Sequence, residues 1–481
     1  MMMLFLIGPP LVAASVAVAV RPYRTWVGWV NVIAAGLSLA VSLAAALATA
    51  TGAPPPLARA VAARFDALSA LLAVCIAFVM LLASSLGPGL ADQRDDPSAR
   101  TFRVFINLFA ATMLTAVTVQ NVALMWVAIE ATTITSAMVI PLRRTKASVE
   151  ASWKYILICS VGIALAFAGT VLAYFDFVAT AGQVPDSLNW NVLRAAAPSL
   201  HPEPLQLAFA FILVGYGTKA GIAPMHTWLP DAHSEAPSPI SAMMSGVLLA
   251  VALYAIARWK VVIDGAVDPR FTTGLLLGFG LVSMIIGTFS LVIQRHYKRM
   301  LAYSSIEHMG LVSIGLALGP AGVFAAWLHV VNHAVAKSMS FLLAGRILHR
   351  YETAEIRKVS GLLQAMPWTG ALFAAGVLAL VGLPPFGLFV SEFLLVRAAV
   401  AGHHLWLAGG ILLLLLTAFI SLIGHLNQML YGNVPAGVPV GERRDWPVLA
   451  LAGSAALLVA LGVTVPRPVS ALIDQCAGLL P

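Results

Sequence analysis

The chain has 481 residues, of which 60% are hydrophobic and only 10% charged. A soluble chain of this length would carry charge on roughly a quarter of its residues, so an ordinary soluble enzyme is excluded. The net charge of +8 would suit a nucleic-acid binder, but the way the charge is spread argues for membrane topology instead.

Apolar runs long enough to cross a bilayer as a helix follow one another along the whole chain. In order they cover 3–20, 25–49, 66–86, 103–119, 121–141, 153–175, 205–223, 238–258, 272–292, 300–318, 322–345, 368–397, 405–430 and 446–465, about fourteen in all. Backbone polar groups in lipid must be satisfied within the segment, and barrel strands would be shorter and alternating. The expected fold is therefore an all-α polytopic membrane protein. The first run lacks a small-residue cleavage pattern and is one of many, so it is expected to be a retained span and not a signal peptide. The longest polar connections, 87–102 and 176–204, are short for a soluble domain. Numbered alternately, the odd connections hold eighteen Lys and Arg and the even ones eight, with Lys219 and Lys337 inside spans. The odd side is thus expected in the cytoplasm, and both termini on the non-cytoplasmic side of a bacterial cell membrane.

Cys75, Cys159 and Cys476 lie far apart, with no CxxC or Cys/His spacing, so no iron–sulfur or zinc site is encoded locally. No Gly-rich phosphate loop stands between a strand and a helix. No cofactor and no metal is expected in this chain.

An ionisable residue inside a span costs about 2.5 kcal/mol or more at mid-membrane, which makes each one a functional candidate. Glu130 sits in "NVALMWVAIEATTITSAMVIPL" and Lys219 in "ILVGYGTKAGIAP". Glu307 and His308 sit in "LAYSSIEHMGLVSIG"; His329, His333 and Lys337 sit in "WLHVVNHAVAKSMSFLLAG". Glu392 follows in "GLPPFGLFVSEFLLVRA" and His425 in "FISLIGHLNQML". Singly, each admits a packing role: a snorkelling lysine, an interfacial Glu307 and His308, a structural His425. Together they are harder to dismiss. His329, His333 and Lys337 recur every four residues, which sets them about 6 Å apart along one helix stripe, a spacing that one water bridges. Imidazole both takes and gives a proton near neutral pH, so the stripe fits a hydrated proton relay. Haem ligation fits poorly, because the lysine would press a cation against the ring.

Helix breaks are the second signal. Pro224 follows Lys219 by five residues, and Pro384–Pro385 precedes Glu392 by seven. A proline inside a span frees carbonyls that only water or a cavity can satisfy, and broken helices mark ion sites in transporters. Glu392 is accordingly expected beside free carbonyls and water, at the exit of a channel. A repeat is the third signal. Glu130 precedes Lys219 by 89 residues and Glu307 precedes Glu392 by 85, and each pair lies within a unit of five helices. An odd helix count inverts successive units, as in transporters built from inverted repeats. The expected division is 1–102, a first unit over 103–260, an inverted second over 261–430, and a tail over 431–481.

"KAGIAPMHTWLPDAHSEAPSPISA" closely resembles the signature of the antiporter-like subunits of respiratory complex I, the Mrp antiporters and the membrane-bound hydrogenases. "YKRMLAYSSIEHMG", "HVVNHAVAKSMSFLLAGRI" and "GLPPFGLFVSEF" resemble the same family in the right order, and "MMSGVLL" and "SSIEHMG" look most like the F component of hydrogenase-4. The resemblance covers roughly 100–430. It implies fourteen helices, with the seventh and twelfth broken, and proton translocation along a hydrated axis. It implies that Glu130 is the acid of the fifth helix, that Lys219 is its partner in the seventh, and that Glu392 is the acid of the twelfth. His329, His333 and Lys337 would be the relay of the eleventh. It further implies partner membrane subunits and hydrophilic redox subunits that hold the electron-transfer centres. Sodium/proton exchange of the Mrp type, or energy coupling to uptake of a solute such as inorganic carbon, stays open as the alternative. One departure is plain: the eighth helix, "ISAMMSGVLLAVALYAIA", has no lysine or histidine, so a proton is expected to cross there by water or through Glu307 and His308.

Overall fold

The computed structural model describes residues 2–52, 66–91, 96–182, 184–443 and 445–479. Arg59, Arg64, Arg94 and Arg444, four of the residues in the charge count, lie outside these. The described residues form no strand, only the isolated bridges Asn121–Asn189 and His296–Glu355.

The first six helices are α1 (Met2–Ala19), α2 (Thr25–Thr51), α3 (Ala67–Ala91), α4 (Asp96–Thr118), α5 (Val122–Ala137) and α6 (Lys146–Ala181). The Asn121 side chain starts α5 by accepting from the backbone of Ala123 and Leu124 at 2.9 and 3.1 Å. A reciprocal Thr145–Ser148 capping box starts α6. The polar connection expected over 176–204 is partly helical, because α6 runs on to Ala181 and a short helix follows at Trp190–Ala196.

The seventh helix is broken into α7a (Pro202–Ala220) and α7b (Trp228–Glu235). Gly221, at φ 73°, ends α7a in the left-handed conformation that glycine adopts most easily, and Pro224 follows inside the break. Next come α8 (Ser238–Ile263), α9 (Pro269–Val292), α10 (Tyr297–Leu316) and α11 (Gly319–Tyr351). The twelfth helix is broken too, into α12a (Pro367–Leu380) and α12b (Gly387–Ala401), with Gly382 at φ 64° and Pro384–Pro385 between them. The chain closes with α13 (Leu405–Leu430), α14 (Trp446–Val463) and α15 (Arg467–Ala477). The expected unit edges at 102/103 and 260/261 fall inside α4 and α8.

Among the described residues, ten helical segments are long and apolar enough to cross a membrane, and shorter apolar helices occupy Leu4–Ala19 and Pro367–Leu380. Neither α10 nor α11 is among the ten. Their polar residues lower the hydropathy, yet both are sheathed by other helices. Helix α11 packs against α3, α8, α10, both halves of α12, α14 and α15, so it is the axis of the bundle. Helix α8 stands between α7a and α11. The outer surface is apolar: Trp153, Leu157 and Val161 line one side of α6, and Leu412, Leu416 and Ile420 one side of α13. Such faces suit lipid or a neighbouring helix.

Two helix pairs approach backbone to backbone. A Cβ added at Gly215 of α7a would lie 2.4 Å from the Ala166 nitrogen of α6, and one at Gly169 would lie 2.6 Å from the Ala208 carbonyl. Between α9 and α10, a Cβ at Gly310 would lie 2.6 Å from the Gly280 carbonyl, and one at Gly287 would lie 2.7 Å from the Glu307 nitrogen. Small residues at such crossings are the usual cement of helices in membranes, where no hydrophobic force joins them.

Candidate functional site

The ionisable residues read from the sequence gather in two groups, one on each side of α8. In the first, Lys219 occupies the last turn of α7a, fully buried against the break. Its ammonium donates to Thr133 Oγ1 at 2.8 Å and to the Tyr155 hydroxyl at 2.7 Å, and lies 4.8 Å from the centre of the Tyr155 ring. Thr133 in turn donates to Glu130 Oε2 at 3.3 Å, while Ser160 of α6 donates to Oε1 at 2.7 Å. Glu130 and Lys219 thus do not touch. The Thr133 hydroxyl stands between them, accepting from one and donating to the other. Tyr155 continues the network to Ser136 at 2.7 Å. Glu130 is half-buried, less enclosed than its mid-span place suggests. Helix α5 lies at the edge of the bundle, with Leu124, Val127 and Ile134 exposed on its outer side.

The second group surrounds α11. Lys337 is fully buried and donates to the Leu301 carbonyl at 2.8 Å and to Ser304 Oγ, both on α10. The stripe spacing holds: the His329 and His333 rings are 6.4 Å apart. His308 of α10 fills the gap, its ring 5.0 Å from His329 and 5.2 Å from His333. His308 Nδ1 and His329 Nε2 are 3.1 Å apart, and His329 Nδ1 lies 3.0 Å from Ser391 Oγ of α12b, next to Glu392. Glu307 is buried within electrostatic reach of both Lys337 and Glu392. The interfacial position open to Glu307 and His308 in the sequence is therefore not the one they occupy.

Glu392 is only 7% exposed, and its Oε1 has no hydrogen-bond partner in the protein. A Cβ added at Gly382, in the break of α12, would run into its carboxylate. The break and the acid are fitted to each other. His425 does what a structural histidine does: Nε2 bonds the Leu291 carbonyl at 3.0 Å.

His308, His329 and Glu392 each offer one ligand atom, and the three atoms lie within 4.8 Å of one another, so this corner could hold a metal ion. Both nitrogens of His329 are already engaged, one by His308 and one by Ser391. His308 Nδ1, His329 and Ser391 join in one chain, while His308 Nε2 and Glu392 Oε1 have no partner within the protein.

Helix α8 shows what the sequence could not. Met244–Leu248 is a π-helical turn, a distortion frequent at functional positions. Its Ser245 Oγ lies 2.7 Å from Ser305 Oγ of α10. Ser305 donates to the Leu301 carbonyl at 3.1 Å, the same oxygen that Lys337 binds. A hydroxyl pair thus reaches from the helix without titratable residues to the second group.

Broken helices, an apolar exterior and a chain of buried lysine, histidine and carboxylate groups define a class: polytopic membrane proteins that handle an ion in their interior. The NADH:quinone oxidoreductase/Mrp antiporter transmembrane family matches residues 119–421, and the chain belongs to that family. The hydrogenase-4 component F homolog of Methylacidiphilum infernorum (isolate V4) is 39% identical over 385 residues, 80% of each chain. Hydrogenase-4 component B of Escherichia coli (strain K12) is 30% identical over 400 residues, 78% of this chain and 57% of that protein. In fold, the chain is similar to one from the membrane-bound sulfane sulfur reductase, an archaeal respiratory membrane complex, with a TM-score of 0.88 at 25% identity over 100% and 97% of the two chains. It is also similar to a chain of the Mrp complex from Dietzia sp. DQ12-45-1b, with a TM-score of 0.86 at 21% identity over 99% and 97%. The motif-based resemblance, its hydrogenase-4 component F branch included, is borne out. The protein is an antiporter-like, multi-pass membrane protein.

Proposed function

We propose that this chain is the proton-translocating membrane subunit of a redox-driven complex of the hydrogenase-4 or complex I-like kind. The observation that carries the reading is the run of buried proton-exchanging groups from Glu130 to Glu392, set around two broken helices. The likeness to hydrogenase-4 components supports the choice of complex. Electron transfer belongs to hydrophilic partner subunits. The layout is two inverted five-helix units, α4–α8 and α9–α13, in a fourteen-span protein of a bacterial cell membrane, both termini on the non-cytoplasmic side. The matching breaks in α7 and α12 support the repeat.

The chemistry follows from the bonds. Lys219 is held charged by two hydroxyls, a ring face and, through Thr133, the Glu130 carboxylate. When a neighbouring subunit draws the half-exposed Glu130 outward, the Thr133 bridge opens and the buried ammonium loses its countercharge. At an effective dielectric near 20, a contact pair contributes about 4 kcal/mol, so even a bridged pair is enough to decide where the proton sits. Released, the proton crosses α8 by water and the Ser245–Ser305 hydroxyls to Lys337. From there it passes through His333, His308 and His329 to Ser391 and Glu392, with Glu307 balancing Lys337.

The test is Lys337→Met in the intact complex reconstituted into vesicles. Assembly and partner redox turnover should persist while proton transport is lost. Unchanged proton transport refutes the relay. A flux that instead follows the sodium gradient makes the Mrp-type reading the better one.

A further inference from the structure

Two atoms are left over where α10, α11 and α12b meet. Glu392 Oε1 and His308 Nε2 have no hydrogen-bond partner in the protein, although His308 is fully buried and Glu392 nearly so. Buried polar side-chain atoms rarely go without one. One carboxylate oxygen of Glu392 and one nitrogen each of His308 and His329 lie within 4.8 Å of one another.

The hydrogen bonds around this corner fix where its lone pairs are. Ser391 Oγ donates its proton to the Leu388 carbonyl at 2.9 Å, so toward His329 Nδ1, 3.0 Å away, it accepts. His329 therefore carries its proton on Nδ1 and presents a lone pair from Nε2. That lone pair receives the proton of His308 Nδ1 at 3.1 Å. Zinc sits about 2.0–2.1 Å from an imidazole nitrogen, which sets its tetrahedral ligands about 3.3 Å apart. The two ring nitrogens already stand at nearly that separation. A metal between them displaces one proton, and the vacant His308 Nε2 takes it up, so both rings stay neutral. Glu392 Oε1 breaks no bond when it turns in as a third ligand. Ser391, holding the far nitrogen of His329, is the outer partner that metal-binding histidines usually have.

The break of α12 gives a way in. Gly382 lies against the Glu392 carboxylate, and Pro384 and Pro385 just beyond it are exposed. Glu307 is within electrostatic reach of Glu392 and adds a second carboxylate to face the two charges of the metal, with Lys337 as the opposing cation. Two histidines, one carboxylate and an open fourth position suit zinc, whereas magnesium and calcium want oxygen alone.

We propose that His308, His329 and Glu392 form a zinc site, with water as the fourth ligand, and that zinc bound there shuts the relay as a reversible inhibitor. The shutting rests on the relay reading above; the coordination does not.

The test uses the whole complex, probed with zinc alone. X-ray absorption at the zinc edge should show one zinc per chain held by nitrogen and oxygen, imidazole among them. Ser391→Ala, which removes only the outer partner, should weaken its binding about 10- to 100-fold, and His329→Gln and Glu392→Gln should weaken it further. Lys337→Met keeps all three ligands and should retain the zinc. Zinc bound equally by the parent and both ligand variants, zinc held through sulfur, or zinc lost in Lys337→Met overturns the site. If a ligand variant fails to assemble, judged by partner redox turnover, Ser391→Ala decides: unchanged zinc affinity there overturns the site too. In vesicles, zinc should stop the proton flux of the parent. Zinc bound at the site with flux untouched leaves the coordination standing and sinks the relay through His308 and His329. Normal pumping by a parent that binds no zinc sinks the site alone.

Discussion

Thr133→Val removes one oxygen from the first group and little else. Valine keeps the branched shape, so α5 and the packing around it should stand. What goes is the hydroxyl that accepts from Lys219 at 2.8 Å and donates to Glu130 at 3.3 Å. A hydrogen bond to a charged group contributes about 1.5–3 kcal/mol net. The first bond is short and counts fully; the second is long, onto a half-exposed carboxylate, and adds little. A loss of about 2–3 kcal/mol in the coupling of the pair follows, or roughly 30- to 150-fold at 1.4 kcal/mol per tenfold. Ser160 still holds Glu130 Oε1 at 2.7 Å and Tyr155 still holds Lys219, so both charges stay in place and only their communication is cut. The assay is dye-reported acidification of vesicles against redox turnover. Thr133→Ser should behave as the parent, and adding Thr133→Val to Glu130→Gln should cost little more, because both break one link. A normal proton yield in Thr133→Val, with Glu130→Gln impaired, would refute the bridge.

Glu392→Gln should stop proton release and slow partner redox chemistry while leaving the first group intact. If it pumps normally and Glu130→Gln does not, the two-unit reading is wrong; if sodium dependence changes and proton flux does not, exchange is the better reading. Gly382→Ala should act on the same acid from behind: at φ 64° and against the Glu392 carboxylate, a methyl group costs at least about 1–3 kcal/mol and displaces the carboxylate. Reduced thermal stability of the purified complex together with reduced pumping checks this, and a silent Gly382→Ala contradicts the fit of break to acid.

The helical class and most of the buried ionisable residues were legible because charge stands out against an apolar background. Lys219, Glu307, Lys337 and Glu392 are visible for that reason alone, and the four-residue spacing of His329, His333 and Lys337 survives as one stripe. Hydroxyls were not legible. Serine and threonine in spans commonly bond their own helix, as Thr118 does to Leu114 and Ser313 to Met309, so Thr133, Ser160, Ser245 and Ser391 carry no mark of their long-range partners. Distance across helices is also silent in a sequence. That a hydroxyl stands between Glu130 and Lys219 comes from how α5 and α7a pack. His308 entered as the neighbour of Glu307 and is instead the joint between two histidines of another helix.

The glycine seams between α6 and α7a and between α9 and α10 have a consequence for tempo and cargo. Backbones that meet this closely cannot slide past each other without collision, so each pair moves as one piece. One seam backs Lys219 and the other Glu307, which pins both charges to stiff frames. Freedom is left to the two unwound elbows, to side-chain rotation and to water. Those motions run in nanoseconds to microseconds, whereas rocking whole bundles takes microseconds to milliseconds. Motions of that size open passages the width of a water file. Such joints suit the passage of very small ions better than that of a bulky solute.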